Sequence, residues 1–173
     1  MKTILLAATL ILGCTISFGQ TAHYEFMSAK IKTNTSVDFN TWVHGGNDFS
    51  TVTNDDFNQW SFAYMGLEGT IKTVNPNDFT QWTVEGTDIT MSNAEEDFND
   101  WVILGEGHTI GMTTTNWNTW VITGALISGI STTDTDDFNE WEIQSGDWTQ
   151  FSPYYRAATV FVSVLSSSVL RFI

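Results

Sequence analysis

The stretch Asp78 to Glu96, DFTQWTVEGTDITMSNAEE, is one copy of a unit that the chain repeats six times. Every copy begins with a five-residue motif that ends on tryptophan, and the motifs read DFNTW, DFNQW, DFTQW, DFNDW, NWNTW and DFNEW. Their tryptophans are Trp42, Trp60, Trp82, Trp101, Trp120 and Trp141, so the intervals are 18, 22, 19, 19 and 21 residues. A period near twenty residues is typical of a chain that stacks one small supersecondary unit.

The pattern inside one unit predicts two short β-strands joined by a turn. Trp82 and Val84 alternate with polar residues, Gly86-Thr87-Asp88 has turn composition, and Ile89 and Met91 alternate again. Apolar alternation with a period of two, interrupted by Gly and Asp, is the hairpin pattern. The other copies show the same pattern, so each unit is predicted to be one hairpin.

A half-unit precedes the first motif, because Lys30-Ile31-Lys32-Thr33 matches Thr70-Ile71-Lys72-Thr73. The whole chain is therefore predicted to be mainly all-β, an antiparallel meander of about six hairpins closed into a barrel or roll. The alternative is a parallel β-solenoid with one coil per unit. Such a solenoid would stack equivalent Asp residues about 4.8 Å apart, whereas a meander holds them about 10 Å apart. Electrostatic repulsion therefore favours the meander.

The DFxxW motif is predicted to be a tight turn. Asp and Asn side chains accept hydrogen bonds from nearby backbone N–H groups, and a Phe three residues before a Trp shares its face only in a helical turn. The predicted turn caps are Asp38, Asp56, Asp78, Asp97, Asn116 and Asp137. The predicted structural aromatics are Phe39, Trp42, Phe57, Trp60, Phe79, Trp82, Phe98, Trp101, Trp120, Phe138 and Trp141.

The C-terminal segment, residues 152–173, is predicted to cover the repeat domain of residues 20–151. Ser152-Pro153 is a good helix start, and no Gly or Pro follows from Tyr154 to Ile173. The β-branched run Val160, Val162 and Val164 also fits a strand, although helical spacing is favoured.

Residues 1–19 have the pattern of a signal peptide, with Lys2 before an apolar run and Ser17-Phe18-Gly19 at the cleavage site. Export to the periplasm or the cell exterior is therefore expected. A minor alternative is a lipoprotein anchored through Cys14, the one cysteine of the chain. Cleavage after Gly19 would leave a chain without cysteine, which excludes disulfides and thiol chemistry.

The net charge of −14, from 20 acidic and 6 basic residues, makes nucleic acid binding unfavourable. No internal apolar run has the length of a membrane span.

The sequence predicts no catalytic residue and no cofactor. The histidines are scattered, and each motif acid has equivalents in the other copies, so nothing marks a catalytic pair. Calcium is possible, with Asp134, Asp136 and Asp137 as weak candidates, but the EF-hand spacing fails and turn capping explains these acids. Trp117 and Trp148 stand outside the register of the ladder, so they are the candidate ligand-binding residues.

The chain, from its FGQ-type leader through tandem DFxxW units to an apolar end, resembles small exported repeat proteins of Bacteroidota-type bacteria. That resemblance implies export from a Gram-negative cell and supplies no catalytic residue.

The expected function is a non-catalytic binding or structural module. Its expected partner is a polysaccharide or a cell-surface component, since a symmetric array suits multivalent ligands. One alternative is a self-assembling surface or matrix fibre or adhesin subunit, for which open strand edges would be the means of association. A glycan-active enzyme is the remote alternative.

Overall fold

The computed structural model describes residues 30–35, 38–44, 47–93, 97–124, 129–132, 138, 140–143 and 150–170. The predicted signal peptide and Cys14 lie outside these ranges, as do Trp148, Asp134, Asp136 and Asp137.

The described residues form twelve β-strands and one α-helix. The strands are β1 Lys30–Thr35, β2 Asp38–His44, β3 Asn47–Thr51, β4 Gln59–Tyr64, β5 Leu67–Thr73, β6 Gln81–Val84, β7 Thr90–Asn93, β8 Asp100–Gly105, β9 His108–Thr114, β10 Thr119–Thr123, β11 Gly129–Thr132 and β12 Glu140–Ile143. The helix is α1, Pro153–Ser168. Each strand pairs antiparallel with the next, which confirms the predicted meander and shows that the solenoid alternative is wrong.

The sheet closes because the first strand pairs with the last. In β1 and β12, Ile31 stands opposite Trp141, just as Ile71 stands opposite Trp60 in β5 and β4. The half-unit at the start of the chain therefore completes the sixth hairpin, whose two strands come from opposite ends of the sheet-forming segment. Six equivalent hairpins therefore form the wall of the barrel, one of them made from the first and last strands.

The ladder tryptophans all point into the barrel. Trp42, Trp60, Trp82, Trp101, Trp120 and Trp141 are each no more than 1% exposed. Along β4 the inward residues alternate with exposed or half-buried ones, as the pleat of a strand requires. The period-two pattern thus produces a wall with an apolar inner face.

The helix fills the space that this wall encloses. Every residue from Ala157 to Ser167 is buried, so α1 has no solvent-facing side along this length. A helix that is buried all round needs apolar surroundings on every face, which the closed sheet supplies. The helix prediction is confirmed over the strand reading, because tertiary burial outweighs the weak helix propensity of the Val residues.

The two ends of the helix are fixed by polar contacts. The Ser152 hydroxyl accepts a hydrogen bond from the Tyr155 N–H at 3.1 Å, and Pro153 occupies the first turn. The Tyr155 hydroxyl donates to the Ile103 carbonyl at 2.6 Å. At the other end, Trp120 Nε1 donates to the Ser167 hydroxyl at 2.8 Å. The helix is therefore bonded to β8 and β10 as well as packed against the wall.

The barrel has two distinct ends. One carries tight hairpins such as Met65-Gly66 and Glu106-Gly107, where both residues have positive φ, as a type I′ turn requires. The N-terminus of the helix lies at this end, because the Ser152 hydroxyl donates to Glu106 Oε1 at 2.6 Å. The DFxxW motifs precede β4, β6, β8, β10 and β12 and so lie at the opposite end.

Replacing Phe161 should remove the central contact of the core. Its ring lies 5.1 Å from Trp82, 5.5 Å from Trp60, 6.0 Å from Trp42 and 6.5 Å from Phe49, measured between ring centroids. We expect Phe161→Ala to lower the free energy of unfolding by about 3–5 kcal/mol in urea titrations, because the enclosed cavity cannot collapse.

Val52→Ala is the matched control, since Val52 is 54% exposed and its truncation should change stability by less than about 0.5 kcal/mol. Equal effects of the two substitutions would contradict a helix at the centre of the barrel.

Candidate ligand-binding surface

Four motif turns share one hydrogen bond. The first side chain of the motif accepts a hydrogen bond from the backbone N–H two residues later. Asp56 Oδ1 accepts from the Asn58 N–H at 3.1 Å, and Asp78 Oδ1 accepts from the Thr80 N–H at 3.1 Å. In the other two copies, Asp97 Oδ1 accepts from the Asn99 N–H at 3.0 Å and Asn116 Oδ1 accepts from the Asn118 N–H at 3.1 Å. Because the neutral Asn116 makes the same bond as the acids, the turn requires an oxygen acceptor and not a charge.

The motif also connects its Phe to its Trp. Trp60 Nε1 donates to the Phe57 carbonyl at 3.1 Å, and the two rings are 6.0 Å apart. The same bond is 2.8 Å at Trp82, 3.1 Å at Trp101 and 2.9 Å at Trp141. The turn therefore satisfies the indole N–H that burial would otherwise leave without a partner.

The first copy departs from this geometry. Asp38 begins strand β2 and pairs with Thr35, so the turn predicted at Asp38 is wrong for the backbone, and Phe39 follows it in the strand. Trp42 Nε1 is buried and has no hydrogen-bond partner among the described residues. An extended backbone at the start of the motif explains this, because the carbonyl three residues earlier no longer turns toward the indole. Of the remaining cap, Asp137, the structure gives no description.

The Asn of the motif joins one turn to the next, a role that the sequence analysis missed. Asn40 Oδ1 accepts the Asp55 N–H at 2.9 Å and the Thr51 hydroxyl at 2.9 Å. One unit further on, Asn58 Oδ1 accepts the Asn77 N–H at 2.6 Å. Asp55 and Asn77 both have positive φ, near 60°, which Asn and Asp tolerate better than most residues. The signal in the sequence was the Asn or Asp placed just before the second and third motifs.

Of the two candidate binding tryptophans, Trp117 and Trp148, the structure describes only Trp117. Trp117 is half-buried in its motif turn, with positive φ and its ring edge-on to Trp120 at 6.4 Å. Trp117 occupies the position that Phe holds in the other copies. It is therefore part of the repeat, whereas the sequence analysis placed it outside the register of the ladder. The surroundings of Trp148 lie outside the described residues.

Hydrogen bonding to the aspartate caps lowers the pKa of their carboxyl groups. The pKa of Asp56 is lowered by the side-chain amide and then the backbone N–H of Asn58. The pKa of Asp78 is lowered by the hydroxyl and then the N–H of Thr80, and the pKa of Asp97 is lowered mainly by the N–H of Asn99. Their carboxylates are therefore stabilised as turn acceptors.

Buried phenols in the core offer no reactive group. Desolvation raises the pKa of Tyr155 to about 12, and it raises the pKa of Tyr64 further. Both hydroxyls therefore stay protonated at neutral pH. Within the described ranges, no three His, Cys, Asp or Glu residues stand close enough to hold a metal ion.

A groove of about 540 Å³ lies on the outer wall across β3, β4 and β5. We call it the outer groove, and its lining consists of Asp48, Ser50, Ser61, Phe62, Ala63, Glu68, Gly69 and Thr70. The strand register arranges its outward side chains in two rows, Asp48–Ala63–Glu68 and Ser50–Ser61–Thr70. Small side chains on the middle strand make the wall concave here, and the flanking acids and hydroxyls make it polar.

Gly69 is required in this wall. A Cβ at Gly69 would lie 2.5 Å from Cζ of Phe62, which is the residue opposite in the register. The Phe62 ring therefore lies against the glycine backbone and closes the wall behind the groove.

Comparisons with protein-family models, with curated proteins and with solved structures return no match. In the part of the chain that the structure describes, no helix combines the length and hydropathy that crossing a membrane requires.

The acid dependence of stability should follow the charge of the caps. Because the folded pKa of Asp78 is lowered, its contribution to stability is complete above its unfolded pKa, about 3.9, and is lost as the pH falls through the folded value. Asp78→Asn should keep the turn and make the free energy of unfolding fall less steeply between about pH 4 and pH 2.

Asn116→Asp is the reciprocal variant and should make the decline steeper, whereas Asp78→Ala should destabilise the protein at neutral pH by removing the cap. Urea titrations at each pH give the measurement. Identical slopes for all three variants and the parent would show that the caps do not act through their charge.

Proposed function

We propose that the protein is an exported, non-catalytic binding module that holds a polysaccharide or a cell-surface glycan on the outer wall of its barrel. The observation that carries this proposal is the outer groove, with its hydroxyl row and its two carboxylates. Side chains of these types form hydrogen bonds with the hydroxyl groups of sugars.

Burial of the Trp ladder leaves the outer wall as the surface on which a sugar would bind. Stacking on a sugar requires an exposed aromatic face, and none of the six ladder rings is more than 1% exposed. Trp117, being half-buried at the motif end, could add one stacking contact at a separate place on the barrel.

The use of the motif acids supports a non-catalytic role. Asp56, Asp78 and Asp97 each hold a turn through the same hydrogen bond, and their pKa is lowered. A general acid in glycoside hydrolysis needs a raised pKa. These carboxylates are therefore better suited to holding the turns than to acting as proton donors.

Self-assembly into a fibre is the second candidate. Closure leaves no free edge among the described strands, so the open edges on which the fibre hypothesis relied are not available. Association would have to use the outer face, where Val102, Leu104 and Val121 are 41%, 44% and 48% exposed. Sedimentation velocity of the purified chain tests this: a monomer at high concentration would contradict assembly.

Blocking the outer groove should weaken glycan binding. We expect the chain from Gln20 to Ile173 to bind at least one polysaccharide in a panel assayed by co-sedimentation and titration calorimetry. Ala63→Tyr places a large side chain at the centre of the outer groove and should weaken that binding by about tenfold or more.

Val121→Tyr is the matched control, because Val121 is exposed on β10, six strands away around the barrel. Unchanged Trp emission would show that both variants keep their fold. Equal affinities of the two variants would move the site away from the outer groove, and absence of binding to every polysaccharide would contradict the proposed function.

A further inference from the structure

We propose that the outer groove selects glycans that carry protonated amino groups, as in glucosamine polymers. This inference rests on the proposed polysaccharide binding and specifies the chemical class of the sugar.

The charge of the outer groove is the first reason. Asp48 and Glu68 are both exposed and stand on either side of Ala63 in the same row. Within the described residues, neither carboxylate forms an ion pair, and the base that follows on β5, Lys72, donates to Glu85 at 2.5 Å. The outer groove thus keeps two negative charges on a protein whose net charge is −14. Uronic acids and sulfated sugars would be repelled, and cationic sugars attracted.

The spacing of the two acids excludes a single metal ion as the ligand. Asp48 and Glu68 lie two strands apart, which is about 10 Å between backbones. A calcium ion needs six to eight oxygen atoms at about 2.3–2.6 Å, which two carboxylates on opposite sides of the groove do not supply. An elongated ligand with amino groups on separate units fits this spacing better.

The second row provides the contacts for the sugar rings. The Ser50 and Ser61 hydroxyl oxygens lie 3.1 Å apart and share a hydrogen bond, and Thr70 continues the row. Each hydroxyl is both a donor and an acceptor, so the row can bond to sugar hydroxyls of either orientation. The outer groove therefore offers charge recognition along one row and hydroxyl recognition along the other.

A basic peptide suits the outer groove less well. Stable peptide and protein interfaces bury aromatic or aliphatic anchors at their centre. The outward side chain at the centre of this site is the methyl group of Ala63, and the Phe62 ring behind it is only 3% exposed.

The test compares two sugars that differ only at the nitrogen. The chain from Gln20 to Ile173 is titrated by calorimetry with a glucosamine hexamer and an N-acetylglucosamine hexamer at about pH 6, where a typical primary amine is protonated. We expect the glucosamine hexamer to bind about tenfold more tightly, the effect of two exposed ion pairs, and to weaken as salt is added.

Carboxylate neutralisation provides the matched variants. Asp48→Asn combined with Glu68→Gln should remove the preference for the glucosamine hexamer, whereas Glu142→Gln, an exposed acid on β12, should leave it unchanged. Both residues of the double variant are exposed, so the fold should persist with unchanged Trp emission.

Three results would overturn the inference. Equal binding of the two hexamers would remove the amino-group selectivity while glycan binding itself stood. If a lysine hexapeptide displaced the glucosamine hexamer and bound with the same affinity, the outer groove would recognise positive charge alone and not the sugar. Binding of neither hexamer, when the polysaccharide panel does give a ligand, would assign the outer groove to another class of sugar.

Discussion

The burial of six tryptophans against one helix is the constraint on which the rest of this structure depends. Each ladder indole is too large to be covered by its own hairpin, and a single-layer sheet would leave its inner face in water. Closing the sheet around α1 buries all six, and Phe161 contacts three of them directly. Burial of aromatic area on this scale is the main favourable term in folding. The wall and the helix therefore stabilise each other, since neither has another way to remove its apolar surface from water.

The motif turn makes this burial possible at low polar cost. A buried indole needs a partner for its N–H, and four of the ladder tryptophans donate to the carbonyl of the residue three positions earlier. Trp120 instead donates to Ser167 of the helix, in the copy whose Phe is replaced by Trp117. The Asp or Asn cap and the bridging Asn keep the turn in this geometry. Asp56, Asp78 and Asp97 therefore have a structural role in the turns.

The sequence predicts correctly those hairpins and turns that depend on residues close together in the chain. The period-two alternation beside Trp82 predicts a hairpin, and the Phe-to-Trp interval predicts a turn, because both depend on residues close in the chain. Closure between β1 and β12 depends on Ile31 meeting Trp141, a contact between distant positions that no local pattern determines. The sequence analysis predicted a closed barrel or roll without identifying this pairing, and it missed the outer groove. Its rows combine residues from three strands, and Ser50 or Ala63 alone carries no signal of a site.

The most direct test of this account is acrylamide quenching of the ladder tryptophans alone. The double variant Trp117→Phe and Trp148→Phe leaves only the six ladder residues, which are all buried in the structure. We expect blue-shifted emission and a quenching constant far below that of free indole, rising to the free value only after unfolding. Red-shifted, readily quenched emission from a protein with intact far-UV dichroism would contradict the filled barrel and would place the tryptophans on an exposed face.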